Sequence, residues 1–90
     1  MTTARRFIII GHVQGVGYRY FTRRAAESCG VVGTVRNMPD GSVEAVAEGE
    51  PSALDAFRGE LERGPSAGRV ERVVEEPAPV AGYDAFRVIF

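Results

Sequence analysis

The sequence has 90 residues, of which 44% are apolar and 26% are charged, the size and composition of one globular domain. A net charge of −1 supplies no basic field for nonspecific nucleic-acid binding, and the single cysteine, Cys29, excludes an intrachain disulfide. No apolar run is long enough for a secretion signal or a membrane span, so we expect a single cytoplasmic domain over residues 1–90.

The chain begins with a predicted strand, a glycine-rich loop and a helix. The apolar run Phe7–Ile10 predicts a buried or central strand that ends at Gly11. Residues 11–17 include three glycines, which is incompatible with regular structure. Helical spacing then predicts a helix over 18–29, stopped by Gly30. Its expected apolar face is Tyr18, Phe21, Ala25 and Cys29.

A hairpin is predicted next. Residues 31–36 are rich in strand formers, and the turn at 37–41 carries Pro and Asp-Gly signals. Residues 42–48 alternate, with Glu44 and Glu48 on the side opposite the small apolar residues. This alternation predicts a strand with one face in water.

The second half of the chain predicts another helix and two strands. Pro51 fits a first helical turn, and the helix ends at Gly64-Pro65. Its apolar stripe is Leu54, Phe57 and Leu61. Gly59 inside this helix costs about 1 kcal/mol relative to alanine. A strand over 69–76 and a short terminal strand over 86–90 follow.

The order of elements is β-α-β-β-α-β with one short C-terminal strand added. Two helices with one apolar stripe each can cover one face of a mainly antiparallel sheet. The sequence therefore predicts an α+β fold, a ferredoxin-like two-layer sandwich.

The glycine-rich loop is the leading candidate for an anion site. Its glycines let successive backbone N–H groups turn toward one point, beside the partial positive charge of a helix N-terminus. It lacks both the P-loop and the dinucleotide fingerprint, and by itself it is best interpreted as an ordinary strand-to-helix loop. Arg19 favours the interpretation as an anion site, because a cation in the first turn of a helix is mildly unfavourable without an anionic partner.

Asn37 ends the predicted second strand, just before the turn. On local grounds its favoured role is an Asx-type turn cap. In the predicted fold, however, the first two strands run in the same direction. The end of the second strand then lies on the rim that carries the glycine-rich loop, which brings an amide near the anion cradle.

The remaining reactive residue types are weaker candidates. His12 is the only histidine, cannot form a metal site or a triad by itself, and is expected to be solvated. Cys29 lies on the apolar helix face, where core packing is its expected role. The carboxylates show no glycosidase or metal-ligand arrangement, so no metal or cofactor is expected.

Two long motifs resemble the signatures of the acylphosphatase family, and the similarity extends over essentially the whole chain. The first reads Gly11-x-Val13-Gln14-Gly15-Val16-x-Tyr18-Arg19, and the second reads Gly33-x-Val35-Arg36-Asn37-x-x-x-Gly41-x-Val43, followed by Gly49. Thr34 departs from the family pattern, which usually has an aromatic residue there. This departure is expected to affect local packing and the pocket wall.

The resemblance implies hydrolysis of acyl phosphates to a carboxylate and inorganic phosphate. It further implies that Arg19 is the essential cation and that Asn37 positions the attacking water. The residues it assigns to phosphoryl binding are Gln14, Gly15, Val16, Gly17, Tyr18 and Arg19. An acyl phosphate expels a carboxylate whose conjugate acid has a pKa of ~4, so no general acid is required. We expect a monomer that acts on a small-molecule acyl phosphate, with inorganic phosphate as a competing product.

Two other classes of domain have the same order of strands and helices. A binding or regulatory module for acyl phosphates or carbamoyl phosphate keeps the fold without catalysis, since related domains occur inside larger maturation enzymes. The two complete signatures favour the enzyme. RNA-recognition domains stack bases on aromatic residues of their two central strands. Residues 42–49 contain no aromatic residue, so no nucleic-acid partner is expected.

Overall fold

The computed structural model describes residues 1–90, and its elements follow the predicted order. The strands are β1 (Thr3–His12), β2 (Val32–Asn37), β3 (Val43–Gly49), β4 (Arg69–Ala78) and β5 (Phe86–Val88), and the helices are α1 (Tyr18–Cys29) and α2 (Pro51–Arg63). The sheet order is β4-β1-β3-β2-β5, and only the β2–β5 pair is parallel. The predicted ferredoxin-like α+β fold is confirmed. Neither helix is long and apolar enough to cross a membrane.

The core lies between the two helices and one face of the sheet. The predicted stripe of α2 is fully buried at Leu54, Phe57 and Leu61. The Phe57 ring packs edge-on against Phe7 and Phe86, with both centroid distances at 5.7 Å. Burying each of these side chains contributes about 1.5–3 kcal/mol. Gly59 lies on the exposed side of α2, and nothing around it requires a glycine.

Helix α1 has the predicted bounds, but its buried face is rotated from the expected one. The buried residues are Tyr18, Thr22, Ala25 and Ala26. Thr22 can be buried because its hydroxyl donates to the Tyr18 carbonyl oxygen at 2.9 Å. Phe21 and Cys29 are only partly buried, at the edge of this face. Burial raises the pKa of the Cys29 thiol.

The prediction that one face of β3 is exposed to water is wrong. Glu44 and Glu48 lie on the sheet face away from the helices, yet they are only 9% and 2% exposed. Glu44 accepts hydrogen bonds from Arg6 Nε at 2.6 Å and from Arg36 Nε at 2.8 Å. Burial acts to raise the pKa of Glu44, but these two bonds hold it below its ordinary value.

Glu48 is covered by the segment that links β4 to β5. Because these strands are at opposite edges of the sheet, residues 79–85 must cross it. The Glu48 carboxylate accepts hydrogen bonds from the backbone N–H groups of residues 81–83, at 2.5 to 3.3 Å. A single carboxylate therefore fastens the crossing segment to β3.

Strands β1 and β2 end on the same rim of the sheet. Both are antiparallel to β3, and Ile9 and Asn37 pair with Val43 from its two sides. Two strand spacings, roughly 10 Å, therefore separate Ile9 from Asn37. β1 continues to His12 through a bulge at Gly11, where a Cβ would lie 2.2 Å from the Arg69 carbonyl oxygen.

Candidate active site

The loop between β1 and α1 carries a series of free backbone donors. Gly15 and Gly17 adopt φ values of 75° and 78°, a left-handed conformation that glycine tolerates without strain. The backbone N–H groups of residues 15–20 form no hydrogen bond within the chain, and the first helical bond runs from Phe21 N–H to the Gly17 carbonyl oxygen at 3.0 Å. The first turn of α1 contains no acidic residue. With the helix dipole, these donors can bind an anion.

A pocket of about 260 Å³ lies between this loop and the end of β2. Its lining includes Gly15, Gly17, Arg19, Asn37, Val88 and Phe90. Arg19 and Asn37 are far apart in the sequence, but the shared rim of β1 and β2 brings them into one pocket. The arrangement joins a cation, backbone donors and a side-chain amide around one cavity.

Arg19 is the charged group of this pocket. The ion pairs of the chain use seven other arginines, and Arg19 takes part in none of them. Its guanidinium lies over the Phe90 ring, with Cζ 5.3 Å from the ring centroid, which is cation–π contact. The guanidinium is therefore held against an aromatic ring, and no carboxylate neutralises its charge.

Asn37 contributes an acceptor without a donor. Its Oδ1 atom is buried and accepts no hydrogen bond from the chain. A buried unpaired acceptor costs about 1–3 kcal/mol, which a hydrogen-bond donor that reaches this oxygen would recover. The turn is capped by Asp40, and not by Asn37 as the local sequence predicted. The Oδ1 atom of Asp40 accepts hydrogen bonds from the Ser42 N–H and hydroxyl groups at 3.0 and 2.6 Å, and these bonds lower the pKa of Asp40.

Three of the residues assigned to phosphoryl binding use their side chains elsewhere. Gln14 Nε2 donates to two carbonyl oxygens of the β2–β3 hairpin, at 2.8 and 2.9 Å. Tyr18 is fully buried, its hydroxyl donates to the Leu61 carbonyl oxygen at 2.7 Å, and burial raises its pKa. Val16 packs against the core. These residues can bind an anion only through their backbone N–H groups.

The apolar wall of the pocket was not among the site residues predicted from the sequence. Tyr20, Val88 and Phe90 line it, and Tyr20 and Phe90 are 60% and 98% exposed. The alternation of Val88 and Phe90 was visible in the sequence, but the parallel pairing of β5 with β2, which places them beside Asn37, was not.

Two residues raised by the sequence lie outside the pocket. Thr34 pairs with Val46 and Arg87, and it points to the sheet face opposite that of the buried Val35. The departure from the family pattern at Thr34 therefore affects the sheet face away from the helices. His12 is exposed at the end of β1 and does not line the pocket.

The chain is similar to known acylphosphatases in sequence and in structure. A family model described as Acylphosphatase matches residues 5–88. An acylphosphatase of Solibacter usitatus is 47% identical over 94% of this chain and 88% of that protein. The crystal structure of acylphosphatase from Bacillus subtilis covers all of both chains with a TM-score of 0.95 and 33% identity. Full-length HypF, crystallised in a phosphate- and nucleotide-bound form, matches all of this chain over 12% of its own, with a TM-score of 0.93 and 28% identity.

Proposed function

This chain belongs to the acylphosphatase family and hydrolyses acyl phosphates, and we propose how its residues divide that work. The loop of residues 14–19 and the Arg19 guanidinium hold the phosphoryl group, and Asn37 holds the attacking water. One observation carries the proposal: a single pocket is lined both by Arg19, which has no ion pair, and by Asn37, whose side-chain oxygen is buried without a donor.

The phosphoryl group is held by charge and by backbone donors. In phosphoryl transfer the transition state spreads negative charge over three equatorial oxygens, and catalysis consists mainly of positioning and charge stabilisation. The planar guanidinium of Arg19 suits two of these oxygens as a bidentate clamp. The N–H groups of the glycine-rich loop serve the third, and they act in the transition state without reorganising.

The water is placed by Asn37. Its Oδ1 accepts a hydrogen bond from the water, so that the water's lone pair faces phosphorus opposite the leaving oxygen. The P–O bond to the acyl group breaks, the carboxylate leaves with the bonding pair, and a phosphoryl oxygen takes the proton of the water. No general acid is needed, since the conjugate acid of the leaving group has a pKa of ~4.

Replacement of Asn37 tests this division. A group that acts on the water contributes mainly to the transition state, so its loss lowers kcat and leaves KM nearly unchanged. We expect Asn37→Ala to lower kcat on the order of 10²-fold. Inorganic phosphate should still inhibit competitively with near-normal affinity. Benzoyl phosphate hydrolysis, measured per folded molecule, gives both constants.

Asp40→Ala is the matched control, because it removes the true cap of the same turn. It should lower the unfolding midpoint and leave kcat unchanged. An Asn37→Ala protein that keeps its kcat would contradict the proposal and leave the water without a holder.

We also propose that residues 1–90 act as one acylphosphatase-like domain and as a cytoplasmic monomer. Support for the monomer is that every group of the proposed site belongs to one chain. Light scattering at assay concentrations measures the mass, and a specific activity that rises with protein concentration would contradict a monomeric enzyme.

A further inference from the structure

Gln14 links the anion-binding loop to the hairpin that carries Asn37. Its Nε2 atom donates to the Met38 carbonyl oxygen at 2.8 Å and to the Ser42 carbonyl oxygen at 2.9 Å. Met38 directly follows Asn37, and its N–H donates to the same Ser42 carbonyl oxygen at 2.8 Å. One side chain from the loop therefore holds both strands at the mouth of the hairpin.

The two bonds of Gln14 are the direct hydrogen-bonded connection between these parts of the site. β1 and β2 are separated by β3, so no backbone hydrogen bond joins them. Both amide protons of Gln14 are committed to carbonyl oxygens, which leaves this group no donor for a phosphoryl oxygen. The side chain is thus suited to a different task from the rest of the loop.

We propose that Gln14 is a positioning residue, which sets the distance between the phosphoryl-binding loop and Asn37. It thereby aligns the water that Asn37 holds with the phosphorus atom. This inference rests on the proposed function, because it requires Asn37 to hold the water. In-line attack is sensitive to such alignment, and a displacement of ~1 Å can cost on the order of 10²-fold in rate.

Binding and turnover respond differently to the loss of this link. Phosphate binding requires the loop N–H groups and Arg19, which Gln14 does not touch through its side chain. Hydrolysis requires the loop and Asn37 together. Loss of the Gln14 amide should therefore lower kcat and leave the affinity for inorganic phosphate nearly unchanged.

Gln14→Met tests this, because it keeps the length of the side chain and removes both donors. We expect kcat to fall on the order of 10-fold or more, with the inhibition constant of inorganic phosphate within about 3-fold of its original value. Asp40→Ala is again the matched control, since it loosens the same turn but leaves the Gln14 bonds in place. Its kcat per folded molecule should stay normal.

A double-variant cycle separates positioning from stability. If Gln14 acts through Asn37, Gln14→Met lowers kcat no further once Asn37→Ala is present. Equal losses in both backgrounds, or an unchanged kcat with only a lower unfolding midpoint, would overturn the inference and leave the proposed function intact. Full kcat in the Asn37→Ala single variant would instead remove the proposed function itself. If Gln14→Met does not fold, Gln14→Asn replaces it in the cycle, because its shorter amide cannot span both carbonyl oxygens.

Discussion

Two stretches of backbone N–H groups in this chain differ in whether the chain itself supplies an anionic partner. Between β4 and β5, the N–H groups of residues 81–83 donate to the carboxylate of Glu48. Before α1, the N–H groups of residues 15–20 have no partner in the chain and border the pocket lined by Arg19. The first arrangement stabilises the fold with the chain's own anion, whereas the second is available to an anionic ligand.

The same contrast holds for the charged side chains. On the sheet face away from the helices Glu44 has two arginine partners, so its charge is compensated inside the fold. In the pocket Arg19 has no carboxylate partner and the Asn37 acceptor has no donor. Polar groups that are satisfied in the folded chain contribute to stability, and polar groups left unsatisfied lower stability but can stabilise a bound ligand. Substitutions in the pocket should therefore lower activity more than stability, whereas substitutions on the sheet face away from the helices should lower stability more than activity.

The largest effect is expected in the pocket, from Arg19→Gln. Loss of the guanidinium should weaken phosphate inhibition and lower kcat on the order of 10²-fold or more, as for loss of a transition-state donor. Stability should be unchanged or slightly raised, because a cation near a helix N-terminus is unfavourable by about 0.3–1 kcal/mol. Initial rates and urea unfolding on one preparation measure both quantities.

Arg23→Gln is the matched control for Arg19, since Arg23 lies one turn further along α1 and pairs with Glu27 on the exposed side. It should retain normal kcat/KM. A folded Arg19→Gln protein with near-normal kcat/KM would mean that the pocket is not the phosphoryl site.

The next largest effect is expected on the sheet face away from the helices, from Glu48→Gln. Replacing the buried carboxylate weakens three charge-assisted hydrogen bonds from the crossing segment and should lower the free energy of unfolding by about 2 kcal/mol. The kcat per folded molecule should stay close to normal. Glu71→Gln removes the same charge from an exposed position of β4 and should change stability little. Loss of kcat equal to that of Arg19→Gln would break the distinction between the two regions.

The smallest effect is expected from Glu44→Gln, and it depends on pH. The arginine partners lower the pKa of Glu44 in the folded state, so its contribution is fully present above the unfolded pKa of roughly 4.3 and is lost as pH falls through the lower folded pKa. At pH 7 the variant should lose about 1 kcal/mol of unfolding free energy. Urea unfolding of both proteins at descending pH should show the difference shrinking toward zero. A difference that grows in acid would contradict the ion-pair account.

Local signals in the sequence predicted the helices well. α1 has the predicted bounds because Gly17 and Gly30 adopt left-handed conformations at its two ends, with φ near 78°. α2 begins at Pro51 and is followed by Gly64, as expected from the restricted φ of proline and the conformational freedom of glycine. Such preferences act within a few residues, so a sequence pattern can reveal them.

The alternation of apolar and polar residues in β3 predicted less of the structure. It correctly separated the two faces of the strand, but it could not show that Arg6 and Arg36 flank Glu44 or that residues 81–83 cover Glu48. Those partners come from three other parts of the chain. Alternation predicts which side a residue occupies, whereas burial depends on what else packs there.

The sequence by itself determined the elements, the glycine positions of the loop between β1 and α1, the motifs that resemble a family and, through the predicted fold, the shared rim that brings Asn37 near that loop. Only the tertiary structure gave Gln14 its two carbonyl partners, placed the Arg19 guanidinium over the Phe90 ring and left the Asn37 side-chain oxygen buried without a donor. The reason is the strand order, which puts β3 between β1 and β2 and β5 beside β2. Contacts between segments distant in the chain follow from how the sheet assembles, and local preferences along the chain do not specify them.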